Sequence, residues 1–195
     1  MKQFIFSVAL LFAAVTMNAQ EGPRGLSLND TAPDFTAKDQ GGKPVNLKQQ
    51  LEKGSVVLVF YRGYWCPYCN KYLQKLEDSL SMIIDKGASL ITITPEKPES
   101  IQKTIEKSKA SYPVVYDEGL AIMTKYDVAF AVDEKTIERY KGFGIDFSQV
   151  NGSENGANLP VPAVYVINKE GKIIFRHFDK NYTKRASVAD ILAHL

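Results

Sequence analysis

Metal-binding side chains are scarce in this chain. Its 195 residues hold only two cysteines and two histidines. A zinc site needs four ligands, and a single Cys-x-x-Cys pair supplies two. His177 and His194 stand neither at ligand spacing from each other nor near the cysteines in sequence, so no metal or other cofactor is expected. An excess of one charge is missing too. Without Lys2, which belongs to the leader segment below, 23 basic residues face 22 acidic ones. That balance excludes the basic footprint of a nucleic-acid binder and gives no attraction to an acidic membrane surface. Repeats and low-complexity tracts are absent. After the first twenty residues no long hydrophobic run occurs, so the mature chain is expected to be free of membrane-spanning segments.

What is present begins with that leader. MKQFIFSVALLFAAVTMNAQ has one lysine, an apolar run from Phe4 to Val15, then small and polar residues. This is the layout of a secretory signal peptide over residues 1–19, cleaved before Gln20. The run is about a dozen residues, short of the roughly 20 a spanning helix needs. Residues 20–195 are expected to form one domain of a periplasmic or otherwise exported bacterial protein. Along it, PDFTAKDQGGKPVNL reads as two short strands around a turn at Asp39-Gln40-Gly41-Gly42. SVVLVFY is a continuous β-branched run, the mark of a strand buried on both faces. Leu73, Leu76, Leu80, Ile83 and Ile84 fall at helical spacing, and Gly87 is expected to stop that helix. ASLITIT reads as a strand, the segment with Ile101 and Ile105 as a helix, PVVYD as a strand and GLAIMTKY as a short helix. AVYVIN and IIFRHF follow as a strand pair around a turn, and Val188, Ile191, Leu192 and Leu195 mark a last helix. Residues 151–162, NGSENGANLPVP, read as a long loop. Strands alternating with helices imply an α/β sandwich on a mixed sheet.

Both cysteines, Cys66 and Cys69, lie in VLVFYRGYWCPYCN, at a strand-to-helix junction. A disulfide here closes almost no loop and so has little to stabilise. A redox role has a mechanism. Pro67 suits the first turn of a helix, which places Cys66 at its N-terminus. There unpaired N–H groups and the helix dipole favour a thiolate. Cys69 follows one turn later on the same face, within reach for a disulfide. On this local argument Cys66 is the attacking sulfur, with the lower pKa and the greater exposure.

The whole segment from about Leu28 to Leu195 resembles the thioredoxin-fold superfamily, and within it the alkyl hydroperoxide reductase / thiol-specific antioxidant (AhpC/TSA) family. LNDTAPDF resembles that family's entry segment, FYRGYWCPYC the signature of a peroxiredoxin-like subgroup, and LPVPAVYVINKEGKIIFRH the strand pair closing the thioredoxin core. The resemblance implies a thioredoxin-like three-layer sandwich, with helices on a mixed central sheet. It implies two chemistries. Trp65-Cys66-Pro67-Tyr68-Cys69 matches the Trp-Cys-x-x-Cys of dithiol exchange, with Cys66 as nucleophile and Cys69 resolving. The peroxiredoxin motif Pro-x-x-x-Thr/Ser-x-x-Cys, laid on from Phe60-Tyr61, instead makes Cys69 peroxidatic. Arg62 then stands at the Pro position and Cys66 at the Thr position, and the arginine that peroxiredoxins place before their late strand is missing. Pro162, after Val161, matches the cis-proline that faces the dithiol.

The expected function is thus an exported thiol oxidoreductase working by dithiol exchange, with a thiol-dependent peroxidase as the alternative. A disulfide or a peroxide is the substrate, and a thiol donor such as a thioredoxin-like protein the partner. Arg62 steadies a thiolate or anion, or else is a solvated loop cation. Trp65 covers the site or fills the strand–helix corner. Tyr64 and Tyr68 are expected to tune access, His177 to be structural and His194 exposed. Tyr182 and Lys184 carry no assigned chemistry.

Overall fold

The computed structural model describes residues 22–195, so the expected signal peptide lies outside the described residues. The centre is a five-stranded sheet in the order β5-β4-β3-β8-β9, comprising β3 (Val56–Phe60), β4 (Ser89–Thr94), β5 (Val114–Tyr116), β8 (Ala163–Ile167) and β9 (Ile173–Phe178). The first three run parallel, and β8 and β9 add an antiparallel edge. A separate antiparallel pair, β1 (Thr36–Lys38) and β2 (Pro44–Asn46), precedes it.

The side chains of β3 alternate between two cores, as period-two geometry requires. Val56, Leu58 and Phe60 pack with α1 (Leu47–Lys53) and α5 (Ala121–Lys125) through Leu47, Leu51, Ile122 and Met123. Val57, Val59 and Tyr61 face the other way. They meet α2 (Pro67–Asp78), α3 (Leu80–Asp85), α4 (Pro98–Ser108) and α8 (Val188–Leu192) through Leu73, Leu76, Ile83, Ile101 and Ile191. With both faces covered, β3 is fully buried, and the three-layer sandwich expected of the chain is what forms.

Three expectations are corrected. The helix read through to Gly87 breaks at Ser79, whose N–H bonds back to Leu76 O in a tightened turn, so α2 and α3 are separate. Residues 151–162 are not a structureless loop: β7 (Asn158–Pro160) lies inside them and pairs antiparallel with β6 (Ala129–Ala131). Between these strands come α6 (Glu134–Gly142) and α7 (Phe147–Asn151). The Val161–Pro162 bond is trans, no cis peptide occurring among the described residues. Val161 N–H donates to Val128 O at 2.8 Å, tying the chain down as it passes from β7 into β8.

Candidate active site

β3 delivers the chain to the loop at Tyr61–Trp65, and α2 starts immediately after it. Pro67 opens the helix, where its missing N–H is no loss. Cys66 is the N-cap, and its Sγ accepts from the Cys69 N–H at 3.3 Å. The two sulfurs are 2.7 Å apart and unbonded, at 2% and 1% exposure for Cys66 and Cys69. The sequence therefore placed the pair correctly but misjudged its exposure: Cys66 is as buried as Cys69.

The loop is pinned from several sides. Cys66 N–H donates to Gly63 O at 3.0 Å. Tyr64 O accepts from Asn70 Nδ2 at 2.7 Å and from Lys107 Nζ at 3.2 Å. Tyr64 N–H donates to Glu96 Oε1 at 2.7 Å. Gly63 leaves no spare room, because a Cβ there would stand 2.5 Å from Trp65 Nε1 and 2.7 Å from Glu96 Oε1. Trp65 packs edge-on against Tyr140 of α6 and Phe147 of α7, at centroid distances of 4.9 and 5.5 Å. The β6–β7 insert thus roofs the loop.

Arg62 is no solvated loop cation. It is 5% exposed, with its guanidinium 4.8 Å from the Trp65 ring centre and 4.1 Å from that of Tyr182. Its Nη2 donates to Tyr140 Oη at 2.6 Å. Such faces receive a cation favourably, and no carboxylate pairs with Arg62 among the described residues. A groove of about 290 Å³ opens beside it, lined by Phe130, Val161, Pro162, Lys180 and Tyr182 as well as Arg62. This brings Val161 and Pro162 to the same region as Arg62. A larger hollow of about 610 Å³ near Asp39 and Tyr116 includes none of these residues.

The arginine missing from the late-strand segment has a counterpart from elsewhere. Arg185, between β9 and α8, donates through Nη2 to Cys69 Sγ at 3.5 Å. Its Nη1 donates to Lys184 O at 2.7 Å and also to Tyr182 O, which fixes the guanidinium. Sequence reasoning singled out Tyr182 and Lys184 in this segment and passed over Arg185. It passed over Glu96 as well, a fully buried carboxyl just past the end of β4. The available signal was an acidic residue just past a strand with the β-branched run Ile91-Thr92-Ile93-Thr94, between Pro95 and Pro98.

These groups bear on which sulfur carries the charge. Burial alone pushes the Cys69 thiol up, but the hydrogen bond from Cys66, the Arg185 charge, the Arg62 N–H and the Arg62 charge outweigh it and bring Cys69 down to about 6. Cys66 goes the other way: the hydrogen bond to Cys69 holds its proton, with burial and the Cys69 charge adding to this. The two thiols therefore titrate as a pair, and Arg185, which donates to Cys69 Sγ, favours the charge on Cys69. The helix N-terminus favours it on Cys66, so the two fields act in opposite directions. His177, half-buried in β9, is pushed below its ordinary value mainly by burial, against a hydrogen bond from its ring to the main-chain carbonyl of Lys184.

Among the described residues, no cluster of three or more His, Cys, Asp or Glu could hold a metal ion. No described helix is long and apolar enough to cross a membrane.

Comparison with known proteins adds the following. The AhpC/TSA family model matches residues 28–176. Thiol-disulfide oxidoreductase ResA of Bacillus cereus is 22% identical over 150 residues, 76% of this chain and 68% of that protein. Chloroplastic peroxiredoxin Q of Arabidopsis thaliana is 38% identical over 97 residues, 50% of this chain and 44% of that protein. Among solved structures, peroxidoxin BcpB of Mycobacterium tuberculosis superposes with a TM-score of 0.65 at 21% identity, over 86% of this chain and 94% of that one.

Proposed function

The chain belongs to the AhpC/TSA family and is a thiol-based oxidoreductase, and from that premise we propose that it cycles between a Cys66/Cys69 dithiol and their disulfide, with a peroxide as the oxidant. One observation carries this: the Cys69 sulfur, 1% exposed, lies 3.5 Å from the Arg185 guanidinium with the Cys66 sulfur 2.7 Å away. A small peroxide can reach a sulfur so enclosed, whereas the in-line approach of a protein disulfide requires an open face. Cys69 S⁻ attacks the peroxide oxygen, the O–O bond breaks, and the departing alkoxide or hydroxide takes up a proton. Cys69 is left as a sulfenic acid. The Cys66 sulfur then attacks Cys69, an S–S bond forms, and the hydroxyl leaves as water with the Cys66 proton. A thiol donor of thioredoxin-like type returns two electrons.

Dithiol exchange is the second reading. It is supported by the N-cap position of Cys66 beside the exposed Tyr68, a surface a partner protein could meet. Stopped-flow mixing of the reduced protein with hydrogen peroxide, followed by the emission of Trp65, is compared with mixing against an oxidised protein partner. Faster oxidation by peroxide is expected, and faster oxidation by the protein disulfide selects exchange. The leader supports export of the mature form, which N-terminal sequencing of the protein recovered from cells tests.

A further inference from the structure

The groove beside Arg62 carries two positive charges and no negative one. Arg62 and Lys180 line it, and no aspartate or glutamate does. Arg62 is 5% exposed and forms no ion pair among the described residues. Its Nη2 donates to Tyr140 Oη at 2.6 Å, but its Nε is sealed from solvent without a partner. A guanidinium has five N–H donors, and a buried charge with no counter-ion is costly. The Trp65 and Tyr182 faces, at 4.8 and 4.1 Å, hold the charge and leave Nε unmet. Lys180 stands exposed at the rim and is in no ion pair among the described residues, whereas the adjacent Asp179 is held by Lys184 at 3.6 Å. The remaining wall is apolar, with Phe130, Val161, Pro162 and the Tyr182 ring. Direct contacts join the groove to the sulfurs. Tyr182 O accepts from Arg185 Nη1, and Arg185 Nη2 donates to Cys69 Sγ at 3.5 Å. β3 and β8 also pair Phe60 with Ala163, so the strand ends bring Arg62 beside Pro162.

We infer that this groove is a carboxylate subsite, and that the chain selects organic hydroperoxides bearing a carboxylate on a short apolar stem. Arg62 receives the carboxylate and Lys180 draws it in. The inference rests on the peroxide cycle proposed above and deepens it. The groove, at about 290 Å³, lies at the small end of the roughly 300–1,000 Å³ of ligand sites. That size suits a small anion and is too little for a segment of a partner protein. The apolar wall accounts for the stem, and the unpaired guanidinium for the charge. The peroxiredoxin motif has a proline where Arg62 stands, so this cation is no part of that pattern.

The carboxylate binds and does not react. Cys66–SH, Cys69–SH and ⁻OOC–R–OOH give the disulfide, ⁻OOC–R–OH and water. Two electrons pass from the sulfurs to the peroxide oxygens, the O–O bond breaks and the S–S bond forms. The two thiol protons end in the alcohol and the water.

The test compares hydroperoxyhexanoic acid, its peroxide at the far end from the carboxyl, with its methyl ester as oxidants of the reduced chain. Wild type is expected to favour the acid by about tenfold in second-order rate. Arg62→Met should abolish the preference. The acid-to-ester ratio cancels whatever Arg62 does to the sulfurs, because that bears on both oxidants alike. Lys180→Met should lower the ratio about two- to threefold, as should added salt, and leave the rate with hydrogen peroxide unchanged. A second reading needs no variant and no peroxide chemistry. Hydroxyhexanoic acid, the alcohol product, should bind the oxidised chain about tenfold more tightly than its methyl ester in calorimetry. Equal rates for acid and ester, or a preference that survives Arg62→Met, overturn the subsite and leave the peroxide cycle standing. A chain that no hydroperoxide oxidises, but that still prefers the hydroxy acid to its ester, overturns the peroxide cycle and keeps the subsite. Loss of both preferences together with peroxide oxidation overturns both.

Discussion

Replacing Arg185 by Met removes a positive charge 3.5 Å from Cys69 Sγ while keeping a long side chain. At an effective dielectric of 20, a unit charge at that range is worth about 5 kcal/mol. Arg185 is partly exposed, and solvent screening leaves about 2 kcal/mol, or roughly 1.5 pH units at 1.36 kcal/mol each. Arg185 lowers the Cys69 thiol, so the variant thiol should titrate about 1.5 pH units higher, and at pH values below both pKa values reactions needing the thiolate slow about 30-fold. The assay is the rate of iodoacetamide alkylation against pH, measured in a Cys66→Ser background so that Cys69 alone reacts. Arg185→Lys, which keeps the charge on a less rigid stem, should recover part of the effect. An unchanged Cys69 profile in Arg185→Met refutes the electrostatic assignment. So does a lower pKa for the lone Cys66 of Cys69→Ser than for the lone Cys69 of Cys66→Ser.

Glu96 gives stability its own pH dependence. Its folded pKa is raised to about 8 from 4.5, so the native state binds more protons between these values and stability falls as pH rises through that window. Measured by urea titration as the difference between wild type and Glu96→Gln, which cancels other titrating groups such as Cys69, the fall should approach about 1.4 kcal/mol per pH unit; equal slopes contradict it. Asn155 is fully buried, donates to Pro95 O at 2.8 Å and Asp117 O at 3.0 Å, and accepts from Gly119 N–H at 2.8 Å. Asn155→Ala removes the amide partner of the Pro95 carbonyl and the Gly119 N–H, while Asp117 O keeps the Leu120 N–H, and should lower the unfolding free energy by about 2–3 kcal/mol, whereas a change under about 0.5 kcal/mol shows that the loop relaxes to satisfy them. Gly63→Ala forces Trp65 or Glu96 aside and should slow peroxide oxidation of Cys69 while shifting Trp65 emission. An unaltered rate shows that the loop tolerates the displacement.

The order and type of the central elements were legible in the sequence because their signals are local. The apolar run at 56–60 reads as a strand covered on both faces, and two cores do cover it. The same holds for the Cys-x-x-Cys pair, whose spacing and following Pro67 place both sulfurs at a helix start. The segment between β6 and β7 was not legible. Its strands have three residues each, and α6 buries none of its side chains, so no apolar period marks it. It forms because Val132, Phe147 and Leu159 find Trp65 and Tyr140 to pack against.

Local pattern was enough for the fold class, the dithiol and its seat at the mouth of a helix. Which sulfur is favoured for the charge depends on groups that only folding brings together. Helix-terminus reasoning sees the atoms within one turn of Cys66, and they favour that sulfur. Arg185 lies 116 residues from Cys69 in sequence, and Glu96 reaches the loop from the end of a different strand. Charges act through space and are strongest where water is excluded. The positive charge beside Cys69 is therefore a property of what folding brings there, at a sequence distance no local pattern records.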